Sequence, residues 1–280
     1  MASNTNPSDF ADSALLIVAH GSPNGPSNHS TSRRHAESIA NLELFGEVGV
    51  GFMAEKPFAC DVLNSLNARK IFIVPNMATN GYVSSEKLPR ELGLTGPVTE
   101  RLTPKGHQRL ILTKPIGTHP LMPKILSALV LDLMEKHGLE SESTALIVIG
   151  HGSTKSRASF SKIQDIINDL GQFGLCDFGH HQSIHAAFLE ETPSVKNWQN
   201  LTSAQNIICA PFLISDGFHA NIDIPMAIGF DPKSDKFQKC LAQGMESKTV
   251  KNGRNIFYLP PIGAAPGITE IILDLVNCGK

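Results

Sequence analysis

Residues 145–153 read ALIVIGHGS and residues 14–22 read ALLIVAHGS, so one apolar run ending in His-Gly-Ser occurs twice in the chain. A short apolar run that ends at a glycine turn is typical of a buried strand in a parallel sheet. One copy lies near the N-terminus and the other just past the middle. The repeat therefore indicates a duplicated α/β protein with a histidine at the end of each of these strands.

The remaining segments follow the same order in both halves. Residues 49–57 match 186–193, residues 71–89 match 207–225, and residues 110–130 match 256–276. Apolar strands alternate with helical periodicity, as in a parallel sheet covered by helices on both faces. We therefore predict an α/β protein of two similar domains, each with a parallel sheet of about four strands flanked by helices. The predicted divisions are a flexible arm (1–13), an N-terminal domain (14–138) and a C-terminal domain (139–280), with a polar linker near residues 136–143.

Composition excludes several classes of protein. The 280 residues carry a formal net charge of −2, which gives no general attraction to nucleic acid or anionic lipid. The apolar runs are too short to cross a membrane, and residues 1–13 lack the features of a secretory signal. The five cysteines are scattered and never form C-x-x-C, which argues against thiolate metal sites and disulfide frameworks. We expect a cytoplasmic protein.

Three chemically reactive side chains follow three predicted strands of the second half. They are His151, Glu190 and His219. Each has an ordinary explanation when taken singly, as a capping or loop residue. In parallel α/β sheets, however, ligands bind beyond the carboxyl ends of the strands, where all three are expected. Neutral imidazoles and a carboxylate can hold a divalent metal ion and can also accept protons.

These residues carry a family resemblance. The second half resembles the CbiX/SirB family of class II chelatases through His151-Gly152-Ser153, through residues 187–193 with Glu190, and through residues 210–225 with His219. The duplicated layout is similar to that of the long, two-domain members. The resemblance implies a chelatase-like fold whose two α/β domains face each other across a cleft. It also implies insertion of cobalt or iron into sirohydrochlorin, in cobalamin or siroheme biosynthesis.

The resemblance also implies the roles of the residues. His151 and His219 would bind the incoming metal and help to take the pyrrole protons, and Glu190 would be a metal ligand or proton acceptor. The resemblance implies no organic cofactor. The metal ion, Co²⁺ or Fe²⁺, would be a substrate. The expected partner is the tetrapyrrole, and the protein would be a monomer or homodimer.

The first half departs from this pattern. His20 is present, but we match His219 with Tyr82, and the acid is either replaced by Ala54 or shifted to Glu55. We therefore expect the second half to carry the chemistry. Because the substrate that the resemblance implies is a polycarboxylate, we expect positive and polar groups around it: Ser153, Lys155 and Arg157 in the second half, and His20 and Tyr82 in the first.

Some alternatives stay open. His180, His181 and His185 precede the Glu190 strand without an assigned role. The degenerate first half leaves room for a non-catalytic carrier of tetrapyrrole or metal. A related enzyme of this fold that acts on another macrocycle, or a different lyase, is the third possibility.

Overall fold

The computed structural model describes residues 10–21, 30–154, 157–175 and 183–279. The chain forms two packing units, each built on its own sheet. One unit is Met1–His119 with Gly267–Lys280, and the other is Pro120–Pro266. No helix within the described ranges is both long enough and apolar enough to cross a bilayer.

Each unit contains a five-stranded sheet with the same topology. The first sheet has the order β2-β1-β3-β5-β4 and the second has the order β7-β6-β8-β10-β9. Four strands of each sheet run parallel, and the edge strand, β4 or β9, pairs antiparallel as part of a hairpin. The predicted fold class is confirmed, with one hairpin strand per sheet more than the sequence indicated. The strands are β1 (Ser13–Ala19), β2 (Glu47–Phe52), β3 (Lys70–Pro75), β4 (Val98–Thr103), β5 (Gly106–Leu112), β6 (Thr144–Gly150), β7 (Ile184–Phe188), β8 (Asn206–Pro211), β9 (Ser247–Lys251) and β10 (Arg254–Tyr258).

The part of the chain that the structure describes contains eight α-helices, which connect or flank these strands. They are α1 (Ser30–Ala40), α2 (Ala59–Ser65), α3 (Leu88–Glu91), α4 (Met122–His137), α5 (Ala158–Leu170), α6 (Ile224–Ile228), α7 (Asp235–Ala242) and α8 (Ile268–Cys278). A π-helical turn precedes α3 at Val83–Lys87, and another precedes α6 at His219–Asp223.

The central strands are the most buried parts of the molecule. Every residue of β1 and of β6 is buried, because helices cover both faces of each parallel sheet. In α5, the residues Ile163, Ile166 and Leu170 form the buried face at helical spacing. The buried core fixes the positions of the ends of β1 and β6, which are followed directly by His20 and His151.

The packing units differ from the division predicted from the sequence repeat. Helix α4 ends the first repeat but packs on α5 of the second unit, and α8 ends the chain but packs on α1 and β3 of the first unit. The first unit therefore ends near His119 and is completed by α8. The division at residues 138 and 139 stays a prediction about the sequence repeat.

Ordered packing begins within the predicted N-terminal arm. Phe10 is buried, its ring stacks on Phe45 and meets the edge of Phe72, and β1 begins at Ser13. The aromatic side chain is buried because the apolar area it removes from water favours packing on the sheet. The first unit therefore includes Phe10.

The turn after β10 gives a prediction about stability. Gly263 donates its N–H to Leu213 O at 3.0 Å, and a Cβ at this position would overlap the backbone of Ile214. We expect Gly263→Ala to lower the free energy of unfolding by roughly 1–3 kcal/mol, because the backbone must shift to relieve the overlap. Urea unfolding followed by circular dichroism measures the change. Gly171→Ala is the matched control, since nothing lies within 4 Å of its Cβ position, and an equal loss in both variants would contradict the prediction.

Candidate active site

His151 follows β6 directly, and the carbonyl of the next residue, Gly152, contacts its imidazole ring. Gly152 has φ +79°, and a Cβ there would lie 2.8 Å from Glu191 Cβ, so glycine suits this turn for two reasons. In this conformation Gly152 O lies 2.9 Å from His151 Nδ1. A carbonyl only accepts hydrogen bonds, so His151 Nδ1 donates and carries the proton of the neutral ring.

His219 is the first residue of the π-helical turn that precedes α6. Its Nδ1 lies 2.6 Å from Asp223 Oδ2, across one turn of this helix. The buried Tyr258 hydroxyl donates to Ala220 O at 2.6 Å and so fastens the turn to β10. Since π-helical turns occur frequently at functional sites, the turn itself is informative. The Asp223 carboxylate accepts from Nδ1 and thereby fixes the His219 tautomer.

The two imidazoles meet through their remaining nitrogens. His151 Nε2 and His219 Nε2 are 3.2 Å apart, and the rings are nearly perpendicular, at 82° with centroids 4.7 Å apart. Because both Nδ1 atoms donate elsewhere, both Nε2 atoms of the neutral rings present lone pairs to each other. Two facing lone pairs repel unless a cation lies between them. Two nitrogens placed in this way can share one proton or one metal ion.

The spacing of the pair suits a metal ion as well as a proton. Nitrogens that bind one first-row metal at about 2.1 Å, in tetrahedral or octahedral geometry, lie roughly 3.0–3.4 Å apart. The Nε2 separation of 3.2 Å falls in this range. The side chains are 42% exposed for His151 and 44% for His219, so an ion can reach them from solvent.

Glu190 lies on the other side of the His151 ring. Its backbone N–H donates to His151 O at 3.0 Å, and its Oε2 lies 3.9 Å from His151 Nδ1. The described residues contain no group of three His, Cys, Asp or Glu side chains that could hold a metal ion. The geometry thus joins two of the three predicted ligands at one point, and Glu190 as a third ligand stays a prediction.

A groove opens beside Glu190 and contains some of the predicted substrate-binding residues. Its volume is about 800 Å³, and its lining includes Ser153, Arg157, Glu190 and Glu191. The Arg157 guanidinium lies over the Phe160 ring, 4.3 Å from its centroid. The described lining holds one arginine and two glutamates, so its charges are mixed, whereas we expected positive and polar groups around the substrate. Lys155 lies outside the described residues.

The first unit repeats the backbone of this site and keeps only part of its side chains. His20 Nδ1 lies 2.9 Å from Gly21 O, as His151 Nδ1 lies from Gly152 O. Ala54 N–H donates to His20 O at 2.9 Å, in the way that Glu190 N–H donates to His151 O. Ala54 therefore occupies the position of Glu190, and Glu55 matches Glu191.

The match of His219 with Tyr82 is wrong by one residue. Ser85 N–H donates to Gly81 O in the first unit, and Asn221 N–H donates to Gly217 O in the second. Counting from these glycines, Tyr82 matches Phe218 and the position of His219 is taken by Val83. The first unit therefore retains one imidazole and lacks both the second imidazole and the acid.

Asp223 and Glu191 are site residues for which no role was predicted. Asp223 holds His219, and Glu191 Oε2 accepts from Ser153 N–H at 3.4 Å. The signal for Asp223 was the spacing His-x-x-x-Asp, which places both side chains on one side of a helical turn. Glu191 has no such signal in the sequence, because its contact with Ser153 depends on the pairing of β6 with β7.

Other residues with metal-binding chemistry lie elsewhere. His185 is in β7 and partly buried, whereas His180 and His181 lie outside the described residues. Cys209 is buried in β8, and burial raises the pKa of its thiol, which disfavours the thiolate form.

Comparisons with known proteins point to one family. The CbiX family model matches residues 14–133 and again residues 145–277. A curated protein of Halobacterium salinarum, named "Probable sirohydrochlorin cobaltochelatase", is 26% identical over 277 residues, which is 93% of this chain and 89% of that protein.

Two solved structures share the fold. CbiX, described as the terminal enzyme for biosynthesis of siroheme in denitrifying bacteria, is 24% identical with a TM-score of 0.63, over 95% of this chain and 99% of that one. The sirohydrochlorin chelatase SirB from Bacillus subtilis subspecies spizizenii, in complex with cobalt, is 16% identical with a TM-score of 0.64, over 95% of this chain and 94% of that one.

Proposed function

This chain belongs to the CbiX family, and from that premise we propose that it inserts cobalt or ferrous iron into a sirohydrochlorin-type tetrapyrrole. The observation that carries the proposal is the 3.2 Å approach of His151 Nε2 and His219 Nε2. Metal insertion delivers a dication to the macrocycle and removes two pyrrole N–H protons. A site for this reaction needs groups that bind a metal weakly and also accept protons.

The two imidazoles meet both requirements. Each neutral Nε2 has one lone pair, which can coordinate the incoming ion or accept a pyrrole proton. The metal ion and the pyrrole protons compete for the same two Nε2 lone pairs. Arrival of the protons at these nitrogens therefore releases the ion to the macrocycle. Two protein ligands leave most coordination positions open, which suits an ion that must be released.

Glu190 is proposed to receive protons from this pair. Its carboxylate lies beside His151 Nδ1, and its side chain is 55% exposed, so protons accepted there can pass to solvent. Ser153 and Arg157 of the adjoining groove, and His20 and Tyr82 of the first unit, are proposed to bind the substrate. Lys155 stays a sequence-based prediction with the same role.

An insertion assay tests the proposed function. Purified protein is mixed anaerobically with sirohydrochlorin and Co²⁺ or Fe²⁺, and the loss of the free-base absorbance spectrum is followed. We expect many turnovers per protein molecule, at a rate above that of the uncatalysed reaction. The degenerate first unit, with Ala54 and Val83, favours a carrier as the second candidate. A carrier would bind the tetrapyrrole stoichiometrically without turnover, and that result would contradict the proposal.

Asp223 gives a prediction about positioning. Without its carboxylate the His219 Nδ1 proton loses a strong acceptor, and the tautomer that presents the Nε2 lone pair is no longer favoured. We expect Asp223→Asn to lower kcat for insertion by about 10- to 100-fold, the range measured when carboxylate partners of metal-binding histidines are removed. Steady-state kinetics over a range of pH measures the loss.

The matched control for this prediction is Asp165→Asn, which removes an exposed carboxylate from α5 in the same unit. The control should keep wild-type kinetics. Asp223→Glu, which restores an acceptor for Nδ1, should recover part of the lost rate. If Asp223→Asn retains the wild-type rate and pH profile, the positioning role is contradicted.

The choice between cobalt and iron rests on geometry and metal supply, since imidazole accepts both ions. The pathway served, a cytoplasmic location and a monomeric or homodimeric state stay predictions. Parallel assays with Co²⁺ and Fe²⁺, and with several tetrapyrroles, distinguish this function from that of an enzyme acting on another macrocycle.

A further inference from the structure

An exposed apolar stripe runs along the helix that carries His219. Phe218 is 64% exposed and Met226 is 58% exposed, with the partly buried Ile222 midway between them. The π-helical turn continues directly into α6, so residues four apart lie on one side of the helical stretch. These three side chains define the Phe218 stripe, and its first member is the residue before His219.

The same helix of the first unit is polar along this line. The residues that match the Phe218 stripe are Tyr82, Glu86 and Arg90, and all three are exposed. The first unit packs this helix on its sheet in the same way but needs no exposed apolar residues beyond Tyr82. The fold therefore does not require the stripe to be apolar. The apolar stripe occurs in the unit that also has His219 and Glu190.

Exposed apolar side chains in a row are unfavourable in water and mark binding surfaces. The occupant must also fit the neighbouring histidines. A tetrapyrrole has a broad conjugated face, which is apolar, and charged groups at its rim. When its central nitrogens lie at His151 and His219, its face extends over the side chains next to His219. Phe218 can then stack on a pyrrole ring, as aromatic rings do with one another.

We propose that the Phe218 stripe receives one face of the tetrapyrrole macrocycle and holds it against the histidine pair. This inference rests on the proposed function and adds the surface that binds the substrate. The stripe binds the macrocycle before and after the metal enters, so it contributes to binding of substrate and product and not to proton or metal transfer.

The test is a binding titration of sirohydrochlorin in the absence of metal, followed by absorbance and by quenching of substrate fluorescence. We expect Phe218→Ala to raise Kd about tenfold, the effect of losing most of one buried aromatic side chain from the contact. Met226→Ala should raise Kd by a smaller factor. Phe218→Tyr should bind as tightly as the wild type, because tyrosine keeps the aromatic face that stacks on the pyrrole ring. In insertion assays, KM should rise while kcat at saturating substrate changes little.

Val250→Ala is the matched control, since Val250 is an equally exposed apolar side chain on the edge strand β9 of the same unit. It should leave Kd unchanged. An unchanged Kd in Phe218→Ala would overturn the inference. So would a Phe218→Ala variant that keeps its Kd but loses a dimer in analytical ultracentrifugation, which would assign the stripe to a second copy of the chain. If the wild-type protein binds sirohydrochlorin but never inserts metal, the proposed function is contradicted. The inference about the Phe218 stripe is then unaffected.

Discussion

His219→Ala is expected to lower the rate of metal insertion by about 10²–10⁴-fold, the range typical of a lost acid–base group. The variant removes one of the two Nε2 atoms, so the incoming ion has a single imidazole ligand and one acceptor for pyrrole protons is missing. His219 is 44% exposed and Asp223 is 36% exposed, so the substitution leaves neither a core cavity nor a buried unpaired charge. The variant should fold normally and bind the tetrapyrrole.

Initial rates with Co²⁺ and with Fe²⁺ measure this loss, and a sirohydrochlorin titration of the same variant separates it from a loss of binding. His107→Ala is the matched control, because His107 is an exposed histidine on β5 of the first unit. The control should retain the wild-type rate. Undiminished insertion by His219→Ala would contradict the role given to the pair.

His151→Ala is expected to cause a loss at least as large as that of His219→Ala. His151 contributes the other Nε2 atom, and Glu190 Oε2 lies 3.9 Å from its Nδ1, so we expect its removal to interrupt both metal binding and proton transfer. We expect a rate about 10²–10⁴-fold below that of the wild type. The double variant His151→Ala/His219→Ala should be little worse than either single variant, since the two rings act on one ion.

The first half of the chain supplies a comparison for this prediction. His20 has the same strand end and the same Nδ1 contact to the following glycine carbonyl, but Val83 and Ala54 stand where the second imidazole and the acid would be. His20→Ala should therefore cause a much smaller loss than His151→Ala, expressed mainly in KM. Equal losses in kcat from the two variants would show that the first half also carries chemistry.

Much of this fold could be predicted because its signals are local. The apolar runs that end in His-Gly-Ser predicted β1 and β6. The placement of His151, Glu190 and His219 at strand ends followed from the rule that parallel strands present their carboxyl ends at one edge. The adjacency of the two histidines is a consequence of this topology.

The features that the sequence did not predict depend on tertiary packing or on subtle backbone geometry. No sequence signal distinguishes the π-helical turn at His219–Asp223 from an α-helix, and the one-residue error over Tyr82 and Phe218 arose in this segment. The packing of α4 on the second unit and of α8 on the first is decided by side chains distant in sequence. The edge strands β4 and β9 alternate exposed and less exposed residues and so lack the long apolar run of the central strands.

The central claim is that His151 and His219 jointly hold the metal ion on its way into the macrocycle. The most direct measurement is anomalous X-ray scattering from crystals soaked with Co²⁺, with data collected on both sides of the cobalt absorption edge. We predict one cobalt peak between the two rings, at about 2.1 Å from both Nε2 atoms. A cobalt peak bound elsewhere, with the space between the two imidazoles holding no metal, would contradict the account.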